Sequence, residues 1–350
     1  MTMSKPSITV LFVIDIPPGL REHLQQSLAR LEGVSALLPD SMDEAELANL
    51  APQADIIVGW RIPSVVLQTA EQLELLVFPG VGVQRLVAPL SELNQRRQVN
   101  GSPLVTLVKC VSNTYATAQH AVALLLALMN KVIPHHNWMV EGKWRRGDDY
   151  AESIPLRSRH LGLLGYGQVN SKVHRFLSGF DVDFGILKRS WLDKVPELPT
   201  EVKRFDQAKL HSFLDWADLL IAAVPETTST RSMIGASELA LLGSEGLLVN
   251  IGRGAIIEEA ALYTALRDQI IAGAAIDVWY NYRPDDDAHG KKYPFVPEHS
   301  FHELNNVVLS PHRAASPVFA PYRWDEVIEH IERYVGGEPA LHVVDLLEEY

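Results

Sequence analysis

Three residues able to do acid–base or anion chemistry stand just beyond short apolar runs in the second half of the chain. Arg253 lies between glycines in Val249-Asn250-Ile251-Gly252-Arg253-Gly254, Asp277 falls in Ala275-Ile276-Asp277-Val278-Trp279, and His312 sits in Ser310-Pro311-His312-Arg313. A guanidinium presents a planar fork to a carboxylate, and an imidazole titrates near neutrality. A fourth run ends in a proline-marked loop, Ala223-Val224-Pro225-Glu226-Thr227-Thr228. Singly, each residue has a plain structural reading: Arg253 as a solvated loop charge, Asp277 as a cap or turn residue, His312 as a satisfied structural histidine. Jointly they carry more, because loops at the carboxyl ends of strands in one parallel sheet share one edge.

The stretch that would set that edge is Leu161 to Ser190, LGLLGYGQVNSKVHRFLSGFDVDFGILKRS. An apolar run meets Gly165-Tyr166-Gly167, continues into helix-compatible Gln168 to Leu177, and reaches a second apolar run at Val182 to Leu187. This order of strand, glycine turn, helix and strand fits a dinucleotide-binding βαβ unit. There the glycines permit a tight turn and let a pyrophosphate approach the free N–H groups of the helix. It also fits an ordinary strand-to-helix turn, and the companions on the same rim favour the nucleotide. Strand-like runs follow at Leu219 to Val224, Leu247 to Ile251, Ala274 to Val278 and Val307 to Leu309.

The first half alternates in the same way. Strands are predicted over Ile8 to Ile14, Ile56 to Gly59 and Leu75 to Phe78, with helices over Leu20 to Leu31 and Val65 to Gln72. Two α/β units with parallel sheets result. Pro79-Gly80-Val81-Gly82-Val83 then forms a glycine loop at a strand's carboxyl end. Such loops hold ligands in open α/β sheets, although a turn needing only positive φ reads the same way. Tyr115 to Lys131 is apolar on most faces and predicts a buried helix at a domain or subunit interface. His135 to Ile154, with Trp138, Trp144, Arg145, Arg146, Asp148 and Asp149, has little periodicity and reads as an irregular surface arm.

Composition narrows the partners. A chain of 350 residues with 47% hydrophobic content can bury a large core, and its length points to two domains. A formal net charge of −12 and the absence of a Lys/Arg block argue against nucleic acid or anionic membrane as partner, leaving a small molecule. Cys110 is the only cysteine and reads as a small core residue. There is no disulfide framework or cysteine-rich metal site, and a reducing cytoplasm fits. The opening MTMSKPSITVLFVID suits a first strand better than a signal peptide, and the longest apolar segment, Ala121 to Met129, is too short to span a bilayer.

HLGLLGYGQV, LLVNIGRGAIIEEAALYTAL, GAAIDVW and NNVVLSPHRA resemble the cofactor-binding domain of the D-isomer-specific 2-hydroxyacid dehydrogenases. PGVGV and CVSNTYATAQHAVALLLAL resemble that family's substrate loop and the asparagine-containing start of its long interdomain helix. The resemblance implies two doubly wound, Rossmann-like domains. A flavodoxin-like substrate domain would take residues 1–113 and 317–350, discontinuous because Val318 to Leu347 packs back on it, and an NAD(P)-binding domain would take 114–316. The implied reaction interconverts a small 2-keto acid, such as glyoxylate or hydroxypyruvate, and its D-2-hydroxy acid. Arg253 would serve as the cation for the substrate's carboxylate and carbonyl oxygen, and His312 as the proton donor to the alkoxide. Backbone amides of Val81 and Gly82, with Asn113, would hold the carboxylate, and the substrate's side chain would meet residues such as Trp60 or Phe78. Gly165, Tyr166, Gly167, Gln168, Val169, Val224, Pro225, Thr230, Ile251 and Gly252 would line the cofactor, with Asp277 orienting the nicotinamide amide. No metal is expected. A homodimer is, with Tyr115 to Lys131 and the Trp138 to Trp144 arm as its contact.

Departures from the family pattern sharpen these expectations. A Glu usually follows the Asp of the "DV" strand by five residues and buttresses the histidine; here that position is Tyr282, followed by Arg283. A carboxylate partner typically raises a histidine pKa by about one to three units, so its absence leaves His312 less basic. Tyr282 would bond the imidazole instead, or Glu298 or Glu303 would swing in. Formate-oxidising relatives also lack this Glu, which keeps two alternatives open: oxidation of a formate- or phosphite-type anion, and a catalytically impaired cofactor-binding paralogue. The acid that binds the adenosine ribose in NAD-specific relatives is replaced by Lys188, followed by Arg189 and Ser190. A cation there attracts a 2′-phosphate, so NADP(H) is the preferred cofactor with NAD(H) possible; the plain alternative is a solvated strand-end pair. Asn170 replaces the third glycine of the fingerprint, and the helix should sit slightly further from the strand.

Overall fold

The computed structural model describes residues 7–145, 147, 151–191 and 197–350. Arg146, Asp148 and Asp149 of the arm lie outside the described residues. The chain divides into two compact units, residues 1–113 with 317–350, and residues 114–316.

The first unit carries five parallel strands: β1 (Ile8–Val13), β2 (Val34–Leu37), β3 (Ile56–Gly59), β4 (Leu75–Phe78) and β5 (Thr106–Lys109). Their order is β2-β1-β3-β4-β5, the flavodoxin-like arrangement. β3 and β4 are buried along their whole length, which explains why they read as unbroken apolar runs. Alternate residues of one strand feed opposite layers. Val10 and Phe12 pack with Leu24, Trp324 and Ile331, whereas Leu11 and Val13 pack with Leu47, Leu76 and Leu90. The helices are α1 (Pro18–Leu28), α2 (Glu44–Leu50), α3 (Ser64–Thr69) and α4 (Gln84–Val99). The carboxy-terminal helix Pro321–Gly336 joins this core through Trp324, Val327, Ile328 and Ile331. Proline opens that helix and left-handed Gly337 ends it, as the asymmetry of helix termini favours.

The second unit is a seven-stranded parallel sheet of β6 (His160–Leu164), β7 (Asp183–Leu187), β8 (Val202–Phe205), β9 (Leu219–Ala222), β10 (Leu247–Asn250), β11 (Gly273–Ile276) and β12 (Val307–Leu309). The spatial order β12-β11-β10-β9-β6-β7-β8 reverses direction between β6 and β9. The carboxyl ends of those two strands mark the reversal point, the position where doubly wound sheets take their ligands. Helices α5 (Thr114–Met129) and α7 (Gln168–Leu177) cover one face with Leu161, Leu163, Ile221 and Val249. α8 (Leu210–Trp216), α9 (Ala236–Leu242) and α10 (Glu259–Arg267) cover the other with Leu164, Leu220 and Leu248. The buried helix expected after Tyr115 is α5. The irregular arm needs correction: Val132–Val140 is a helix, α6, none of whose residues is buried. A helix that packs nothing against the core has no apolar stripe to read. No single described helix is long and apolar enough to cross a membrane; α5 and α6 pass that test only as a pair bent by 65°.

Candidate active site

The turn at the β6 end sits at the reversal point. Gly165 has φ +82°, and a Cβ there would stand 2.7 Å from Val224 Cγ1 and 3.3 Å from the Ala223 carbonyl oxygen, so only glycine lets the β6 and β9 loops meet this closely. Gly167 caps α7 without a side-chain hydrogen bond, and nothing lies within 4 Å of where its Cβ would be. The N–H groups of Tyr166, Gly167, Gln168 and Val169 find no acceptor among the described residues. Unpaired donors at the positive end of a helix, with open space before them, form an anion cradle. A dinucleotide pyrophosphate fits it.

Asn170 explains how the fold manages without the third glycine. It is fully buried, and its Nδ2 donates to the carbonyls of Leu164, Gly165 and Ile221 at 3.2, 2.7 and 3.3 Å, stapling α7 to the ends of β6 and β9. Tyr166 turns away from the cradle: its hydroxyl bonds His174 Nδ1 at 2.9 Å, while His174 Nε2 meets Thr200 Oγ1 at 2.9 Å. Burial pushes the Tyr166 phenol up to about 12 and His174 down to about 4. Thr230 likewise spends its hydroxyl on its own loop, donating to the Pro225 carbonyl at 2.6 Å and accepting from the Thr227 N–H at 2.8 Å. It shapes the Val224-Pro225 loop.

Lys188 leaves the end of β7 with its N–H bonded to the Phe205 carbonyl at 3.2 Å. Its ammonium lies 5.0 Å from the centre of the Trp191 ring, and the Arg204 guanidinium lies 4.9 Å from the same ring. The indole is pinned by its own N–H on the Phe205 carbonyl at 2.8 Å. Arg189 is exposed and Ser190 half-buried beside it. The corner that would meet the adenosine end is cationic, with Lys188 in no ion pair among the described residues.

On the same edge of the sheet, Arg253 follows β10. Gly254 next to it approaches the β11 extension so closely that a Cβ would stand 2.4 Å from the Trp279 carbonyl oxygen. Asn250 holds the intervening turn, accepting from Gly252 N–H at 3.2 Å and donating to the Arg253 carbonyl at 3.1 Å. Ile251 and Gly252 are buried within it, and the Arg253 guanidinium folds back to the Gly252 carbonyl at 2.6 Å.

Asp277 is fully buried, and its carboxylate is committed to the His312 loop. It accepts from Ser310 Oγ at 2.5 Å, from Arg313 N–H at 2.7 Å and from Ala314 N–H at 3.0 Å. His120 on α5 meets Ser310 Oγ at 2.9 Å and lies 3.5 Å from the Asp277 carboxylate. His312 itself is exposed, with left-handed backbone (φ 55°), its N–H on the Ser310 carbonyl at 3.0 Å. The Tyr282 ring stands 5.2 Å from the imidazole, and its hydroxyl accepts from the Trp279 N–H at 3.2 Å. Glu298 and Glu303 are exposed. Ser310, His120 and Asn250 are the residues that sequence reasoning did not single out. Ser310 and Asn250 carried a positional signal, two places before His312 and three before Arg253.

In the first unit, the β4 end leads into Pro79–Val83 and then α4, which has no side-chain cap. The Val81 and Gly82 N–H groups find no acceptor among the described residues. Trp60 anchors this loop, its indole N–H donating to the Pro79 carbonyl at 3.0 Å and its ring packing edge-on to Trp324 at 5.8 Å. Phe78 lies beneath Gly80, with ring carbon Cε1 3.2 Å from where a Cβ would be. Asn113 follows Val111 and Ser112, whose N–H groups are held by the Glu326 carboxylate at 2.6–2.9 Å.

A glycine turn and an uncapped helix at the reversal point of a doubly wound parallel sheet define a Rossmann-type, dinucleotide-binding unit. Residues 122–314 match the D-isomer specific 2-hydroxyacid dehydrogenase, NAD binding domain, and the chain belongs to that dehydrogenase family. The 2-ketogluconate reductase of Gluconobacter oxydans is 29% identical over 324 residues, 90% of this chain and 90% of its own. A D-3-phosphoglycerate dehydrogenase of Archaeoglobus fulgidus is 28% identical over 321 residues, and the chain spans only 56% of that relative's length. The solved NADPH-dependent glyoxylate/hydroxypyruvate reductase of Sinorhizobium meliloti, in complex with NADP and malonate, is 26% identical with a TM-score of 0.76 over 98% of both chains.

Proposed function

We propose that the protein reduces a small 2-keto acid, of the glyoxylate or hydroxypyruvate kind, to its D-2-hydroxy acid, using NADPH in preference to NADH. The observation that carries this reading is joint placement. The unpaired amides after β6, the Arg253 loop after β10 and the His312 loop after β12 all leave the carboxyl edge of one sheet. When bound, the nicotinamide supplies a hydride. The amides of Tyr166 to Val169 hold the pyrophosphate, the Val224-Pro225 and Ile251-Gly252 turns border the cofactor, and Lys188, with Arg189 and Ser190, receives the 2′-phosphate. Arg253 binds the substrate carboxylate and polarises its carbonyl, and His312 donates the proton to the new alkoxide. Asp277 holds the His312 loop in place, a role its three donors support beside any contact with the nicotinamide amide. Val81 and Gly82 offer amides to a carboxylate, Asn113 is assigned to the same anion, and Trp60 and Phe78 shape the loop that carries those amides.

The protein is further proposed to work in the cytoplasm as a homodimer, with α5 and the α6 arm as contact. Exposed Met139, Val140 and Trp144 support that assignment. A second reading, oxidation of a formate- or phosphite-type anion, is favoured by Tyr282 standing against His312 where a carboxylate is usual. A panel of 2-keto acids, formate and phosphite, assayed with both cofactors, decides between them. Turnover confined to 2-keto acids supports the first reading, and turnover of formate or phosphite the second. NADPH binding without any turnover identifies a cofactor-binding paralogue.

A further inference from the structure

The first unit holds a cluster that the dehydrogenase chemistry leaves unused. Glu326 and His330 are one turn apart on the helix Pro321–Gly336, so they share a face. That face meets Cys110, the first residue after β5. The Cys110 sulfur, a Glu326 carboxylate oxygen and a His330 ring nitrogen all lie within 4.8 Å of one another. From these positions we infer that Cys110, Glu326 and His330 form a binding site for a divalent transition ion of the zinc type.

A lone buried thiol would not carry this, and the histidine supplies the second observation. His330 is 3% exposed, and its Nε2 has no hydrogen-bond partner. A metal-ligating histidine presents such an unpartnered ring nitrogen to the ion. The Glu326 carboxylate is oriented by the N–H groups of Val111 and Ser112, and retains lone pairs for coordination. His342 Nε2 lies 3.8 Å from Glu326 Oε1, outside the three-residue cluster, and water would complete the coordination of an ion held there. Sulfur, imidazole and carboxylate together match the preferences of zinc, and the thiolate and carboxylate charges balance a dication.

A thiolate, a carboxylate and a neutral imidazole bind an ion only in their deprotonated forms, so loading the site releases protons and affinity rises with pH. A bound ion would tie the end of β5 to the carboxy-terminal helix.

Cobalt(II) added to the full-length, chelator-stripped protein tests this directly. The expected result is a single ion per chain, a thiolate-to-cobalt charge-transfer band, proton release on loading, and displacement by zinc(II). Cys110→Ser and His330→Gln should each weaken zinc binding by at least about 100-fold, the upper end of what loss of an outer-shell partner alone costs; His342→Gln should cost less. Wild-type protein that takes up no cobalt, or takes it up without the charge-transfer band, overturns the assignment whether or not the variants fold. So does a folded Cys110→Ser protein that keeps wild-type zinc affinity.

Discussion

Replacing Ser310 by alanine should loosen His312, the proposed proton donor, without touching it. The hydroxyl donates to the Asp277 carboxylate at 2.5 Å and also meets His120 at 2.9 Å; Asp277 keeps Arg313 and Ala314 N–H groups at 2.7 and 3.0 Å. A hydrogen bond to a charged group contributes about 1.5–3 kcal/mol. For a unit of about 200 residues each kcal/mol is worth roughly 2–4 °C, so Tm should fall by roughly 3–12 °C. The same loop holds His312 in left-handed backbone, a conformation that costs a non-glycine residue about 1–2 kcal/mol. With one restraint gone, His312 samples other positions, and kcat for 2-keto acid reduction should drop about tenfold or more. The Kd for NADPH should stay within about threefold, since the amides of Tyr166 to Val169 make no use of this network. Ser310→Thr, which keeps the hydroxyl, should recover most of the loss. Thermal melting, fluorescence titration with NADPH and steady-state kinetics read the three effects. Wild-type Tm and kcat in Ser310→Ala, or a loss of NADPH affinity as large as the loss of kcat, would refute the positioning role.

Lys188→Asp should lower kcat/KM for NADPH relative to NADH by about 10- to 100-fold, the equivalent of one charge-assisted hydrogen bond; an unchanged ratio places the 2′-phosphate elsewhere. His174 is held down at about 4 against an ordinary 6.5. The unfolded chain therefore takes up this proton first as pH falls, and the stability His174 contributes is complete above 6.5 and lost on the way down to about 4. His174→Asn should flatten the fall of Tm across that window, and an equally steep fall in the variant contradicts the assignment. With Tyr282 standing beside His312 at the position of the family's usual Glu, carbonyl reduction should have an acid-shifted optimum; a rate that stays flat up to about pH 9 would count against that reading.

Residues whose environment is local were legible before any coordinates. The glycine turn, the runs that became β6, β9, β10 and β11, and the polar residues beyond them all follow from strand length and turn chemistry. Edge elements were not. β8 carries Lys203 and Arg204 with only Phe205 buried, and β2 has no buried residue, so neither shows an apolar run. Helix α4 is interrupted by Pro89 and polar on its outer side, and α6 buries nothing. In the site, residue identity was readable but commitment was not. Asp277 and Ser310 lie 33 positions apart, and His120 and Ser310 190 apart, so their network exists only once the sheet is assembled. The hydroxyls of Thr230 and Tyr166 are likewise engaged within the unit, on the Pro225 carbonyl and on His174, which neither residue's neighbours in sequence reveal.

The most direct measurement is kcat/KM for the unmodified protein with glyoxylate or hydroxypyruvate, determined with NADPH and with NADH under identical conditions. Reduction with both cofactors or with NADPH alone, favouring NADPH by about tenfold or more as a charge-assisted contact to the 2′-phosphate implies, is the predicted result. A clear preference for NADH, or NADPH binding with no reduction of either acid, would contradict it.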